Sequence, residues 1–281
     1  MKVDNQNNSQ INTPSGQPGS EAVLYVIKIG GNIIDDESKL SAFLKSFAAI
    51  KGNKILVHGG GKLATKLSAD LGIPQQMIDG RRITDAETLK IVTMVYAGYI
   101  NKNIVTQLQA NGCNAIGLTG ADGNMITANK RVDATIEYGF VGDIDSVNTE
   151  FLQNLLGGEL AVVVAPITHD SNGQLLNTNA DTIAQEIAKA MGKIYTVQLV
   201  YTFEKAGVLL DVHDENSVIP IINPADYEML KSKNLIFAGM IPKLDSAFTA
   251  LQNGVHTVTI GGAEELEQLV AGKTGTTILH E

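Results

Sequence analysis

Short apolar runs alternate with helical stripes of apolar residues along most of the chain. Runs rich in β-branched residues predict six strands, at 23–29, 54–58, 113–118, 160–166, 194–200 and 255–260. Some of these runs are apolar at every position, as in Ala-Val-Val-Val at 161–164. A strand of this kind is covered on both faces, so the pattern predicts a largely parallel sheet between two layers of helices.

The stripes between these strands predict helices, and their ends carry boundary signals. The apolar positions at helical spacing are Leu63, Leu67 and Leu71; Leu89, Val92, Tyr96 and Ile100; Ile183, Ile187 and Met191; and Leu244, Phe248 and Leu251. Thr-Asp-Ala-Glu at 84–87 has the pattern of a capping box, which would open the second helix. Gly112, Gly192 and Gly254 follow the last three stripes, as expected where helices end. Alternating strands and helices therefore predict a three-layer αβα sandwich.

Composition divides the chain into a tail and two lobes. Residues 1–20 are rich in Asn, Gln, Ser, Gly and Pro and have no apolar face, so we expect a flexible tail. The turn-rich segment 168–174 predicts a boundary. It would separate an N-terminal lobe at 21–170 from a C-terminal lobe at 171–281.

Charge and hydropathy narrow the classes of function. The net charge of −9 argues against a nucleic-acid surface, although local lysines and Mg²⁺ can still offset it around a nucleotide. The longest apolar stretch, near 160–167, is far shorter than the roughly 20 residues of a membrane helix, and we find no secretion signal. A single cysteine, Cys113, excludes an internal disulfide and fits the cytoplasm.

Several segments resemble known motifs but lack residues that those motifs require. Gly-Lys-Thr at 272–274 ends like a Walker loop, but Glu267 stands where the earlier glycine is required. Asp143 and Asp145 begin like a calcium loop, but Asn148 and Asn154 occupy its sixth and twelfth positions. The histidines show no helical pair of the kind that binds zinc. We therefore predict no metal site.

Two strands run into glycine turns that are suited to anions. Lys28 lies in an apolar strand just before Gly30 and Gly31. Because burying an unpaired ammonium group costs several kcal/mol, we expect an anionic partner, unless the lysine extends along an exposed face. Three glycines at 59–61 end another strand and precede a helix, whose free amides could bind phosphate. A tight strand–helix turn would explain the same glycines.

Three further charged residues are candidates for the same site. Asp181 falls in the first turn of a helix, where helix capping alone would explain an aspartate. Lys243 follows Pro242 in another first turn, where a cation opposes the helix dipole at a cost of roughly 0.3–1 kcal/mol. That placement makes sense if the helix start and the lysine share a bound anion. Arg82 could clamp a substrate carboxylate, or form a solvated pair with Arg81.

In their order and spacing, these segments resemble the acetylglutamate kinases of the amino acid kinase superfamily over roughly residues 23–281. The similar segments are 27–31, 57–61, 80–85, 117–123, 139–143, 176–181 and 239–244. The resemblance implies the amino acid kinase fold. It also implies MgATP-dependent phosphorylation of the side-chain carboxylate of N-acetyl-L-glutamate, an early step of arginine synthesis. The N-terminal lobe would bind the amino-acid substrate and mediate dimerisation, and the C-terminal lobe would bind ATP.

The resemblance also implies roles for individual residues. Lys28 and Lys243 would hold the phosphoryl group in transfer, and Asp181 would orient them. The other assignments are Gly60, Gly61, Arg82 and Asn177 to the substrate, and Gly30, Gly31, Glu204 and Gly207 to phosphate or nucleotide. A side-chain carboxylate with a pKa of about 4.3 is already ionised near neutral pH, so the reaction needs no general base. Asp181 is therefore better interpreted as an organiser than as a proton acceptor.

Two segments depart from the family pattern. Residues 199–208 lack the usual Leu-Thr-Asp-Val-x-Gly-Val, and we expect Glu204 to replace its aspartate. A polar tail stands where arginine-inhibited members have an amphipathic helix, which predicts an arginine-insensitive homodimer.

Alternative functions stay open from sequence. The acyl group could be larger than acetyl, such as succinyl, or the chain could be another amino acid kinase. From a different class, it could be a sensor of nucleotides or amino acids that has lost catalysis.

Overall fold

The computed structural model describes residues 22–78, 81–211, 213–233, 235–236 and 240–280. The flexible tail expected at 1–20 lies outside these residues. Gly80 and Gly239, which belong to two of the family-like segments, lie outside them as well.

The described residues form strands of two to eight residues. They are β1 (Val23–Ile29), β2 (Asn53–His58), β3 (Met77–Ile78), β4 (Arg81–Arg82), β5 (Ala115–Leu118), β6 (Ile126–Lys130), β7 (Gly142–Val147), β8 (Ala161–Val164), β9 (Ile167–His169), β10 (Leu175–Asn177), β11 (Thr196–Phe203), β12 (Ile221–Ile222), β13 (Thr257–Gly262) and β14 (Thr276–Ile278).

The helices lie mainly between these strands. They are α1 (Gly31–Ile34), α2 (Glu37–Ala49), α3 (Gly61–Asp70), α4 (Ala86–Thr93), α5 (Asn101–Ala110), α6 (Thr149–Gly157), α7 (Ala180–Met191), α8 (Pro224–Ser232), α9 (Ile241–Gln252) and α10 (Leu266–Val270). A π-helical segment, Met94–Ile100, joins α4 to α5 without a break.

The main sheet confirms the predicted α/β fold. Its strand order is β12-β14-β13-β11-β1-β2-β8-β5, and its pairs are parallel except for β13 with β14. One apolar cluster packs α6, α7, α8 and α9 on one face, and a second packs α2, α4, α5 and α10 on the other. All six predicted strands lie in this sheet, although β11 continues three residues past its predicted end at 200.

The prediction missed a second sheet of four strands, β10-β9-β6-β7. Its members are short and carry polar residues such as Asn129 and Asp143, so they show no continuous apolar run. The turn within 168–174 joins β9 to β10 as an antiparallel pair inside this sheet. The division of the chain into two lobes stays a prediction.

Three helix boundaries differ from the sequence patterns. Asp85, rather than Thr84, caps α4, because its side chain accepts a hydrogen bond from the Thr88 amide. Leu71 follows the end of α3 and is exposed, so it does not belong to the apolar stripe. Gly192 has φ −61°, and a Cβ there would lie 2.4 Å from the Gly254 carbonyl oxygen. Close backbone approach, not a left-handed helix end, therefore requires this glycine.

His58 ends β2 and is fully buried at the start of the second glycine turn. Its Nδ1 lies 2.8 Å from the Gly59 carbonyl oxygen, and Nε2 lies 3.2 Å from Asn101 Nδ2 on α5. A carbonyl oxygen can only accept, so Nδ1 carries the proton and Nε2 accepts from Asn101. Burial lowers the pKa of His58 to about 4 from its ordinary 6.5, which keeps the imidazole neutral.

We predict that His58 contributes a pH dependence to stability. Between the two pKa values the unfolded chain binds a proton that the folded chain does not, so stability falls as the pH falls through this range. His58→Gln should remove about 2 kcal/mol of the loss in unfolding free energy between about pH 7 and about pH 4.5, because the amide can donate and accept but cannot titrate.

Urea unfolding of the native chain and the variant at both pH values measures this difference. His256→Gln, at an exposed histidine, serves as the control and should keep the native pH dependence. An unchanged pH dependence in His58→Gln would contradict the assignment.

Candidate active site

Two glycine turns lie side by side at the edge of the main sheet that the carboxyl ends of its parallel strands form. Strands β1 and β2 are parallel neighbours in which Ile29 pairs with His58, so they end together. Gly31 then begins α1 and Gly61 begins α3. Since the first amides of a helix have no partner within it, two sets of N–H donors face the same region.

The shapes of the turns require glycine as well as free amides. Gly60 has φ +139°, and a Cβ there would lie 2.1 Å from Ile100 Cδ1. At Gly30 a Cβ would lie 3.1 Å from the Thr202 carbonyl oxygen on β11. The local sequence therefore serves two purposes, close packing of backbone and access for an anionic ligand.

Lys28 has the anionic partner that its position on β1 predicts. Its Nζ lies 2.8 Å from Asp181 Oδ1, and the lysine side chain is only 17% exposed. Asn179, not Asp181, caps α7, because the Asn179 side chain accepts from the Asp181 and Thr182 amides. Capping therefore does not explain Asp181, whose carboxylate is directed to the lysine.

Lys243 joins this pair from the first turn of α9. Burial lowers the pKa of Lys243, Asp181 acts to raise it, and the nearby charge of Lys28 lowers it further. Its Nζ also lies 4.4 Å from the centre of the Phe203 ring. Two ammonium groups thus act on one carboxylate next to a helix start, Lys28 by direct contact and Lys243 through its nearby charge. The cluster carries a net positive charge that can accept another anion.

A cavity at this edge collects the predicted substrate residues. It is lined by the glycines at 59–61, by Arg82 and by Asn177, among others. The Arg82 guanidinium is buried, and one of its terminal nitrogens donates to Gly61 O at 3.0 Å and to Thr65 Oγ1 at 2.8 Å. Gln75 accepts from its other terminal nitrogen. These partners are all neutral, so the charge of Arg82 is available to a carboxylate.

Asn177 lines the same cavity from the end of β10. Its Nδ2 donates to Thr84 Oγ1 at 3.0 Å, and its backbone amide donates to the Phe140 carbonyl oxygen. This arrangement fixes the side chain and leaves its carbonyl oxygen for another donor, such as a substrate amide.

Sequence reasoning missed several residues that line the same cavity. Tyr96 comes from the π-helical segment, and burial raises the pKa of its phenol, against the opposing effect of Arg82. Arg131 donates from Nε to both Asp143 oxygens at 3.1 Å. Asp143 falls within a family-like segment and could have been found. Tyr96 looked like an ordinary core residue, and Arg131 follows a polar strand without any distinctive pattern.

A second cavity adjoins the first on the side of Asp181 and Lys243. Its other lining residues include Gln185, Tyr201 and Ser246. Burial raises the pKa of Tyr201, so its phenol stays protonated. The Tyr201 hydroxyl lies 3.4 Å from the carbonyl oxygen of Asp181.

None of the four residues predicted for phosphate or nucleotide, Gly30, Gly31, Glu204 and Gly207, lines either cavity. Glu204 accepts a hydrogen bond from Asn32 Nδ2, in the helix that Gly31 begins. Gly207 is buried where a Cβ would lie 2.7 Å from Val218 Cγ1 and 2.8 Å from Thr276 Oγ1. Packing alone therefore explains glycine at 207. Glu204, by contrast, contacts Asn32 beside the first glycine turn, at Gly30 and Gly31.

Within the described ranges, no group of three or more His, Cys, Asp or Glu residues could hold a metal ion. In the same ranges, no helix has the length and hydropathy needed to cross a bilayer.

Known proteins resemble this chain over most of its length. Residues 24–262 match the model of the amino acid kinase family. An acetylglutamate kinase of Cytophaga hutchinsonii is 59% identical over 248 residues, covering 88% of this chain and 94% of that protein. An acetylglutamate kinase of Phocaeicola vulgatus is 54% identical over 245 residues, covering 87% and 95%.

Among solved structures, the N-acetylglutamate synthase of Neisseria gonorrhoeae, complexed with coenzyme A and N-acetyl-glutamate, aligns with a TM-score of 0.77. The alignment covers 93% of this chain and 60% of that one at 21% identity. At this identity the likeness concerns the fold alone.

Proposed function

The chain belongs to the amino acid kinase family. On this premise we propose that it transfers the γ-phosphoryl group of MgATP to the side-chain carboxylate of N-acetyl-L-glutamate, in arginine synthesis. The observation that carries the proposal is the pair of lysines around Asp181, beside two turns that present free amides. Similarity to acetylglutamate kinases at 54–59% identity supports the choice of substrate.

The proposed chemistry needs positioning and charge, not proton transfer. A carboxylate oxygen of the substrate bonds to the γ-phosphorus while the bond from phosphorus to the bridging oxygen breaks, and ADP leaves with that electron pair. Lys28 and Lys243 offset the charge on the group in transit. Asp181 keeps the two ammonium groups at fixed positions and limits their mutual repulsion.

The same proposal gives roles to the residues around the lysines. Arg82 holds the α-carboxylate of the substrate, and Asn177 holds its amide end. Backbone amides at Gly60 and Gly61 bind substrate and phosphoryl oxygens.

The turn at Gly30 and Gly31 belongs to the phosphate side of the proposed site. Glu204 serves the nucleotide side through its contact with Asn32. Gly207 serves the nucleotide side by allowing its backbone to pack closely against Val218 and Thr276.

Further parts of the proposal concern the whole molecule. Mg²⁺ enters with ATP as part of the substrate, so the chain needs no resident metal. Residues 21–170 form the substrate-binding and dimerising lobe, and 171–281 form the nucleotide lobe. We expect a cytoplasmic homodimer, with N-acylglutamate and ATP as its ligands.

We predict turnover of MgATP in the presence of N-acetyl-L-glutamate, with little turnover of unsubstituted glutamate. The reason is that only an N-acyl compound offers the amide that Asn177 is proposed to bind. Coupled ADP release with N-acetyl-, N-succinyl- and unsubstituted glutamate measures this. Preference for the succinyl compound would assign N-succinyl-L-glutamate as the substrate of the same reaction. No turnover on any of the three would exclude the enzyme and favour a binding protein.

We predict that Lys28→Met and Lys243→Met each lower kcat by about 100-fold or more with folding intact, because each ammonium group stabilises charge in the transition state. Steady-state kinetics and thermal unfolding measure the two effects. Lys90→Met, at an exposed lysine paired with Glu87, is the matched control and should keep native kinetics. Near-native kcat in either site variant would remove that lysine from the mechanism.

We also predict a homodimer that arginine does not inhibit, because a polar segment stands where arginine-inhibited relatives have an amphipathic helix. Sedimentation equilibrium gives the oligomeric state, and ADP release at increasing arginine concentration gives the sensitivity. A hexamer, or inhibition at low-millimolar arginine, would contradict this prediction.

A further inference from the structure

The two cavities of the active site meet at a border of three residues. Arg81, Asn179 and Thr182 line both of them. The side chain of Asn179 is engaged in capping α7, and Thr182 receives part of that cap through its amide. Arg81 is the charged member of the three, so it contributes the cation of the border.

The β3–β4 hairpin explains why Arg81 and Arg82 differ. Met77 pairs with Arg82 and Ile78 pairs with Arg81. Neighbouring residues of a strand direct their side chains to opposite faces. Arg82 contacts the first turns of α3, where Gly61 O and Thr65 Oγ1 accept its hydrogen bonds. Arg81 is directed to the other face and reaches the border.

Arg81 is half-buried at the border of the two cavities. Within the described ranges, its guanidinium has neither a hydrogen-bond acceptor nor an ion-pair partner, whereas Arg131 in the same cavity is paired with Asp143. A partly buried cation without a counter-ion is costly unless a ligand supplies one. This observation indicates a bound anion at the border.

The chemistry of the neighbouring groups indicates which anion it is. Asp181 and Lys243 line one cavity, and the glycine amides with Arg82 line the other. In the proposed reaction the group that passes from one side to the other is the phosphoryl group. A planar guanidinium can donate two parallel hydrogen bonds to two of its oxygens, which an ammonium group cannot do.

We propose that Arg81 is a third cation of the phosphoryl-transfer site, donating to non-bridging oxygens of the group in transit. This inference rests on the proposed function. The substrate oxygen forms its bond to phosphorus as the bond to the bridging oxygen of ADP breaks. No proton moves, and Arg81 keeps its charge throughout. Its contribution is greatest where charge spreads over the transferred group, so it lowers the barrier more than it strengthens ground-state binding.

The test is a pair of substitutions that separate charge from shape. Arg81→Gln should lower kcat by about 100-fold while KM for N-acetyl-L-glutamate and for MgATP stays within about threefold. Arg81→Lys, which restores the charge without the fork, should recover part of that loss. Arg82→Gln, the neighbour on the opposite face, should instead raise KM for N-acetyl-L-glutamate, because it is proposed to bind the ground-state carboxylate.

A binding measurement distinguishes this role from a structural one. Calorimetry of MgADP with aluminium fluoride and N-acetyl-L-glutamate should show weaker binding to Arg81→Gln by about the same factor as the loss in kcat. Binding of MgADP alone should be unchanged, as should the thermal unfolding midpoint.

Three outcomes would overturn the inference. Native kinetics in Arg81→Gln would mean a solvated side chain, and a raised KM with native kcat would mean a ground-state contact. Equal weakening of MgADP with and without aluminium fluoride would indicate a structural effect. An inactive native chain would overturn the proposed function itself, whereas an active native chain with a normal variant would overturn only the role of Arg81.

Discussion

The contact between Lys28 and Asp181 is the interaction on which the site depends. It joins β1, one of the two middle strands of the main sheet, to the first turn of α7, and so fixes a cation among buried apolar residues. A single carboxylate beside Lys28 and Lys243 limits their repulsion and leaves a net positive charge. An anion that binds beside the two lysines would therefore be attracted by this charge.

The sheet determines where that anion must lie. Parallel strands β1 and β2 end at the same level, and each is followed at once by glycine and a helix start. Burial keeps His58 neutral at this point, with Nε2 accepting from Asn101, so the strand end adds no further charge beside the second turn. The positive potential thus comes from lysines, arginines and backbone amides. Such a site suits the transfer of a charged group between two anions, with electrostatics in place of acid–base catalysis.

Much of the fold could be predicted, because buried parallel strands give continuous apolar runs and amphipathic helices give regular stripes. Strand β1 was predicted with its observed bounds, and β11 was placed correctly but ended too early. The four-stranded second sheet was not predicted. Its strands are partly exposed, and β6 pairs with β7 and β9 across longer separations in the chain, which no local pattern records. The cap of α4 was misplaced by one residue, because Thr84 and Asp85 are both good capping residues.

The sequence by itself determined the chemistry that is present: Lys243 against its helix dipole, Lys28 in an apolar strand, and glycine turns before helices. Local patterns carry this information because strands, helix starts and turns have local causes. Only the tertiary structure decided which groups meet. It assigned the cap of α7 to Asn179, freed Asp181 for Lys28, brought Tyr96 and Arg131 to the cavity that Arg82 and Asn177 line, and separated Arg81 from Arg82. These contacts join residues far apart in the chain, and their geometry follows from the packing of the sheet and its helices.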